Sequence, residues 1–136
     1  MFENDQQILL KIQDKTFDNK QLLKDLQELL NNRFGITKNI DDKIYDIKLE
    51  FTNVTGSLVQ KYTWHHSQKF ILHEGNYIMT MKCGINRELL GWIFQWMYNV
   101  RILEPLVLTE YYSASIKKMN TIDSSLAFVY NNIFKP

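Results

Sequence analysis

The stretch from Lys69 to Cys83, Lys-Phe-Ile-Leu-His-Glu-Gly-Asn-Tyr-Ile-Met-Thr-Met-Lys-Cys, constrains this chain more than any other. Two runs of strand-favouring apolar residues flank a Glu-Gly-Asn turn, which reads as a β-hairpin. Its register follows from which residues share a face. A three-residue loop at 74–76 sets Phe70 against Thr80 and Ser67 against Cys83, mixing polar and apolar positions. A two-residue loop, Gly75-Asn76, pairs Phe70 with Met81, Leu72 with Met79 and Gln68 with Cys83. One face is then largely apolar and Lys69 and Lys82 lie on the other, so this register is expected. Glycine at the first loop position suits a type II′ turn.

The same logic extends upstream and downstream. Tyr45, Ile47, Leu49 and Phe51 alternate with Asp46, Lys48 and Glu50, which predicts a strand at 44–51 with one buried face. Earlier still, Asp18 with Gln21 resembles a capping box, and Leu22, Leu23, Leu26, Leu29 and Leu30 give an amphipathic helix over about 19–32. Residues 8–12 form a short apolar run that reads as a strand or the trailing piece of one. Thr52 or Asn53 can cap a helix at 53–62 carrying Val54, Leu58, Val59 and Tyr62, although Gly56 costs it about 1 kcal/mol relative to alanine. Asn86 is a suitable N-cap for a helix at 87–98 with Leu89, Leu90, Ile93, Phe94 and Met97 inward, Trp92 and Trp96 on its flanks, and Asn99 closing it in a left-handed conformation. A short strand follows at Val100, Ile102 and Leu103, stopped by Pro105. A last helix over 106–119 carries Leu108, Tyr112, Ile116 and Met119. From residue 44 the order is β-α-β-β-α-β and then a helix. That order predicts an α+β, ferredoxin-like sandwich with its helices on one face of an antiparallel sheet, preceded by a linker and helix at 1–40 and occupying 41–136.

Composition narrows the functional classes. At 136 residues the chain can bury a core without staples. Sixteen basic residues face fifteen acidic ones. They divide evenly, 9 to 10 up to Tyr62 and 7 to 5 after it, so there is no polybasic block of the kind that drives strong sequence-independent nucleic-acid binding. The single cysteine, Cys83, forms no intramolecular disulfide and fits a reducing compartment. No apolar run approaches the roughly 20 residues of a spanning helix, and Met1–Gln7 is too polar for a secretion signal. A cytoplasmic protein without a membrane partner is expected. Eight Phe, seven Tyr and three Trp favour a packed core with at least one adhesive surface.

An ordered set of short motifs points further. The chain carries Phe34-Gly35-Ile36 after its first helix, Trp64-His65-His66-Ser67-Gln68 before the hairpin, Glu88-Leu89-Leu90-Gly91-Trp92 in the next helix, and Val100-Arg101-Ile102-Leu103-Glu104-Pro105 in the last strand. Taken in order and at this spacing, over roughly 18–119, the chain resembles the C-terminal extension (WCX) domain of WYL-domain transcriptional regulators. His66 stands where that family's motif has proline. The Trp-Tyr-Leu tripeptide and the helix-turn-helix of whole regulators have no counterpart here. The resemblance implies a non-enzymatic regulatory domain that mediates dimerisation and response to a nucleotide or nucleic-acid effector, with DNA contact made through other domains. A stand-alone module binding a small metabolite at Gly56 or Gly84 is the alternative, and direct binding of single-stranded nucleic acid is a third reading.

Candidate sites follow from these readings. His65, Ser67, Lys69, Lys82, Arg87 and Arg101 are the ligand-binding candidates, and Trp96 and Tyr98 the interface candidates, with Trp92 assigned to the core. No catalytic residue, metal or cofactor is assigned. On a common strand His66 and His73 would be about 23 Å apart, too far to share an ion. His65, His66 and Cys83 are closer, but the two histidines read as a solvated or core-satisfied pair and not as a zinc site. Ser67 beside His66 is adjacency in sequence, not a nucleophile with its base. The aromatic-basic strand signature of RNA-recognition domains is missing from 44–51 and 77–83.

Overall fold

The computed structural model describes residues 19–121. In chain order they form α1 (Asn19–Asn31), β1 (Tyr45–Phe51), α2 (Asn53–Val59), β2 (Lys69–His73), β3 (Asn76–Cys83), α3 (Arg87–Phe94), a 3-10 turn (Met97–Asn99), β4 (Val100–Glu104) and α4 (Leu106–Asn120). The architecture is α+β, with one four-stranded antiparallel sheet of order β2-β3-β1-β4. The run at 8–12 and the Asp18 cap lie outside the described residues. Among the described residues no helix is long and apolar enough to cross a membrane.

The alternation in β1 is what places it at the centre. Ile47, Leu49 and Phe51 point to one face and are essentially fully buried. Across the ladder they meet Met81, Met79 and Tyr77 of β3. Burying each such side chain contributes roughly 1.5–3 kcal/mol, so the pair β1/β3 is the energetic spine of the sheet. The same core takes in Leu89, Trp92 and Ile93 of α3, Val59 of α2, Leu108 of α4 and Phe34 from the loop after α1. β4 joins β1 on its other side, with a register shift between Lys48 and Leu49.

The hairpin departs from the expected register by two residues. Its loop is Glu74-Gly75, with Phe70 opposite Met79, Leu72 opposite Tyr77 and His73 opposite Asn76. Both loop residues have positive φ, 49° and 84°, which is the type I′ arrangement with glycine in the second place, not type II′. The inward and outward faces are nevertheless the expected ones, because a shift of two residues leaves the side-chain alternation untouched.

A second difference precedes the hairpin. Trp64–Gln68 is not strand, so His66 and His73 are not at two ends of one element. The Gln68 side chain folds the segment on itself: Oε1 accepts from the backbone N–H of Trp64 at 2.6 Å and of His65 at 3.1 Å, while Nε2 donates to Tyr62 O at 2.8 Å. These local bonds outcompete sheet pairing, as polar side chains do in turns.

The third difference lies after α3, which ends at Phe94. Met97, not Asn99, takes the positive φ, 52°, and its side chain is exposed instead of joining the inner face. The expected inner residues Leu89 and Ile93 are buried, and Trp92 is core as assigned. α2 is also shorter than expected. The Thr52 side chain makes no cap bond; its backbone N–H and hydroxyl turn to Asn99 instead, while its carbonyl accepts from Gly56 N.

Candidate functional site

The three motifs that precede β4 meet in space, where the end of α1, the turn before β2 and the start of α3 come together. α1 closes with carbonyls that no residue of its own can satisfy. The rest of the chain satisfies them. Asn31 O receives His65 Nε2 at 2.8 Å and His66 Nε2 at 2.9 Å, and Asn32 O receives Gly84 N at 2.8 Å and Asn39 Nδ2 at 3.2 Å. A proline at 66 could not supply the second imidazole bond.

The chemistry of His65 follows from those partners. A carbonyl only accepts, so Nε2 carries the proton and Nδ1 of the neutral ring accepts from the Ser67 hydroxyl 2.7 Å away. Ser67 Oγ in turn accepts from Lys82 N at 2.8 Å. A continuous path therefore runs from the helix end through imidazole and hydroxyl to the backbone of β3. Burial, the largest cause, holds the His65 pKa below 6.5, with the neighbouring His66 acting in the same direction and the bond to Asn31 opposing it. His65 and Ser67 therefore act as a structural clamp, and the serine hydroxyl is fully engaged as donor and acceptor.

Asn86 and Glu88 form the opposite side of this junction. Asn86 is completely buried. Its Oδ1 accepts from Leu89 N at 2.9 Å, the expected N-cap, and its Nδ2 donates to Phe34 O at 3.0 Å and Thr37 O at 2.9 Å. The Glu88 carboxylate accepts from Ile36 N, Thr37 N and the Thr37 hydroxyl. The Thr37 hydroxyl is the main reason its pKa is lowered from 4.5, and the two backbone amides add to it. Gly35, at φ 70°, permits this approach twice over: it turns left-handed, and a Cβ there would fall 1.6 Å from Glu88 Oε2.

The remaining candidates separate. Ser67, Lys69 and Lys82 line one open concavity of about 510 Å³ on the outer sheet face, together with Asp46, Lys48, Thr80 and Glu104. Three ammonium groups stand there against two carboxylates. Lys82 and Asp46 form an ion pair among them at 3.8 Å, largely exposed on both sides and therefore weak. Arg101 belongs elsewhere. Its Nε and Nη2 both reach Glu50 Oε1 at 2.6 Å, and that bond is the main reason the Glu50 pKa is lowered. A smaller hollow beside this pair is lined by Thr52, Asn76, Tyr98 and Asn99. Arg87 opens α3, in another part of the fold. Lys48 and Thr80 were missed by sequence reasoning, although alternation places Lys48 on the outer face and the register sets it opposite Thr80.

Of the interface candidates, Tyr98 is 87% exposed. Trp96 packs inward instead, edge-on to Phe51, Trp64 and Trp92 at 6.1–6.3 Å between ring centroids. Among the described residues no group of three or more His, Cys, Asp or Glu is placed to hold a metal ion. Burial pushes the Cys83 thiol up to about 12, so it is not a nucleophile at neutral pH. The glycines of the metabolite reading are packed shut: a Cβ at Gly56 would lie 2.6 Å from Tyr77 Cβ, and one at Gly84 2.0 Å from Asn39 Nδ2. No family model matches the chain, and no curated protein matches it.

Proposed function

We propose that this chain is a non-enzymatic regulatory domain of the WCX type, acting in the oligomerisation and effector response of a WYL-type transcriptional regulator. The carrying observation is that the motifs behind the resemblance are not scattered. Phe34-Gly35-Ile36, Trp64–Gln68 and Glu88–Trp92 meet at one junction through Asn31, Glu88 and Asn86, and Phe34 and Trp64 both pack on Trp92. The strand order supports the finer fold reading. Central β1 and β3 with β4 and β2 at the edges is the order of a ferredoxin-like βαββαβ sandwich.

The effector in this reading is an anion of the nucleotide or nucleic-acid class, held on the outer sheet face by Lys48, Lys69 and Lys82. Exposed lysines suit phosphate as point charges, with Thr80 available as a hydroxyl donor. Fluorescence anisotropy with a labelled nucleotide and a short single-stranded oligonucleotide, at two salt concentrations, tests it. Salt-sensitive binding that is lost in the double variant Lys69→Glu/Lys82→Glu is expected. Binding that the double variant leaves intact, or no binding at low salt, removes the outer face as the effector site.

A further inference from the structure

We propose that two copies of this chain join edge to edge through β2, each β2 lying antiparallel to the other so that the two sheets become one of eight strands. This deepens the oligomerisation part of the function proposed above by naming the strand and the register.

The two edges of the sheet are built differently. β4 is interrupted by its register shift and ends at Pro105, features that blunt an edge. β2 has neither. It is a regular five-residue strand paired to β3 on one side, and its side chains Ile71 and Leu72 are 59% and 62% exposed. Those two residues point to opposite faces, so the exposure belongs to the edge and not to one side of the sheet.

Hydrogen-bond parity selects the register. In a hairpin with a two-residue loop, the residues flanking the loop exchange both backbone bonds. His73 is such a residue, and by alternation so are Ile71 and Lys69. The N–H and C=O groups of Phe70 and Leu72 therefore point away from β3, towards an edge that no strand among the described residues occupies. A second β2 satisfies all four only if Phe70 faces Leu72 of the partner subunit. That sets Ile71 directly across from the partner's Ile71, on the two-fold axis. Centring the axis on Phe70 or on Leu72 instead leaves part of the edge unpaired.

The side chains agree with this register on both faces. On the inner face Phe70 meets an apolar Leu72. On the outer face the apolar stripe made by Ile78 and Ile71, already opposite each other in the hairpin, continues across the axis. Lys69 stands beside the end of the partner's hairpin, where Glu74 supplies the opposite charge. The arrangement is self-complementary, as a two-fold interface must be.

The test uses charge at the axis. Sedimentation velocity of the full chain should show a dimer at micromolar concentration. Ile71→Lys and Ile71→Glu should each run as a monomer with an unchanged circular-dichroism spectrum, because residue 71 is largely exposed and each variant places like charges face to face. Mixing the two variants should restore a dimer, since residue 71 faces itself. A dimer that persists in both variants overturns the β2 edge and leaves oligomerisation standing. A monomeric wild-type chain overturns both, whether the edge is then open, covered by another segment of the chain or reserved for a strand of another protein. Monomeric variants that fail to recombine overturn the register centred on Ile71.

Discussion

Replacing Asn86 tests the account of the motif junction most directly. Asn86→Ala removes the N-cap bond to Leu89 N and both donations to the loop carbonyls of Phe34 and Thr37. Loss of a cap costs about 1 kcal/mol. Each buried carbonyl left without its donor costs about 1 kcal/mol more, for a total of about 3 kcal/mol. For a chain of this size that lowers Tm by on the order of 10 °C. Asn86→Asp divides the effect. Aspartate caps a helix as well as asparagine does, but its ionised carboxylate has no N–H and would face two carbonyl oxygens. The aspartate variant should therefore be at least about 2 kcal/mol less stable than wild type at neutral pH, although its cap is intact. Its deficit should shrink as pH falls, because protonation restores an O–H donor. Equilibrium urea unfolding measures both, with equal slopes confirming that only stability has changed. An aspartate variant as stable as wild type would refute the donor half of the reasoning and leave Asn86 as a cap alone.

Gly56→Ala should destabilise by about 1–3 kcal/mol through overpacking against Tyr77, the reverse of the gain expected from helix propensity; thermal unfolding decides the sign. His65 is held neutral in the folded state, so the unfolded chain binds its proton more readily. The stability this contributes is full above about pH 6.5 and declines as pH falls from there through the lower folded-state pKa. Chemical unfolding of wild type and His65→Asn across pH 7.5 to 5 should show that slope in wild type only. Glu88 has the usual carboxylate sign: its contribution is present above 4.5 and is lost as pH falls through its lowered pKa. The stability gap between wild type and Glu88→Gln should therefore close in acid.

Much of the fold was legible because it rests on patterns that act locally. Strict alternation in β1 named its buried face, and Asn86 declared a helix start by its own side chain. Leucine spacing gave α1, and Pro105 marked the end of β4. The candidate site was legible only in part. Ser67, Lys69 and Lys82 do share a surface, since alternation and a hairpin suffice to bring them together. Arg101 and Arg87 do not join them, because their positions depend on strand order and on the route of the connecting helices. Trp96 read as an interface aromatic, but it lies four residues after Trp92, on the same side, and packs against Trp92, Trp64 and Phe51.

By itself, the sequence determined the order of strands and helices and the buried face of β1 and of the hairpin, because alternation acts between side chains two residues apart. The helical stripes were less telling, since Leu23, Leu30, Val54, Leu58 and Tyr62 are exposed where spacing placed them on apolar faces. The tertiary structure alone decided the hairpin register, since burial patterns of period two are indifferent to a shift of two residues. It also decided the role of Trp64–Gln68. Nothing within that segment shows that Asn31 of α1 offers a carbonyl needing donors, and that long-range partner is what turns two histidines and a serine from apparent chemistry into a clamp.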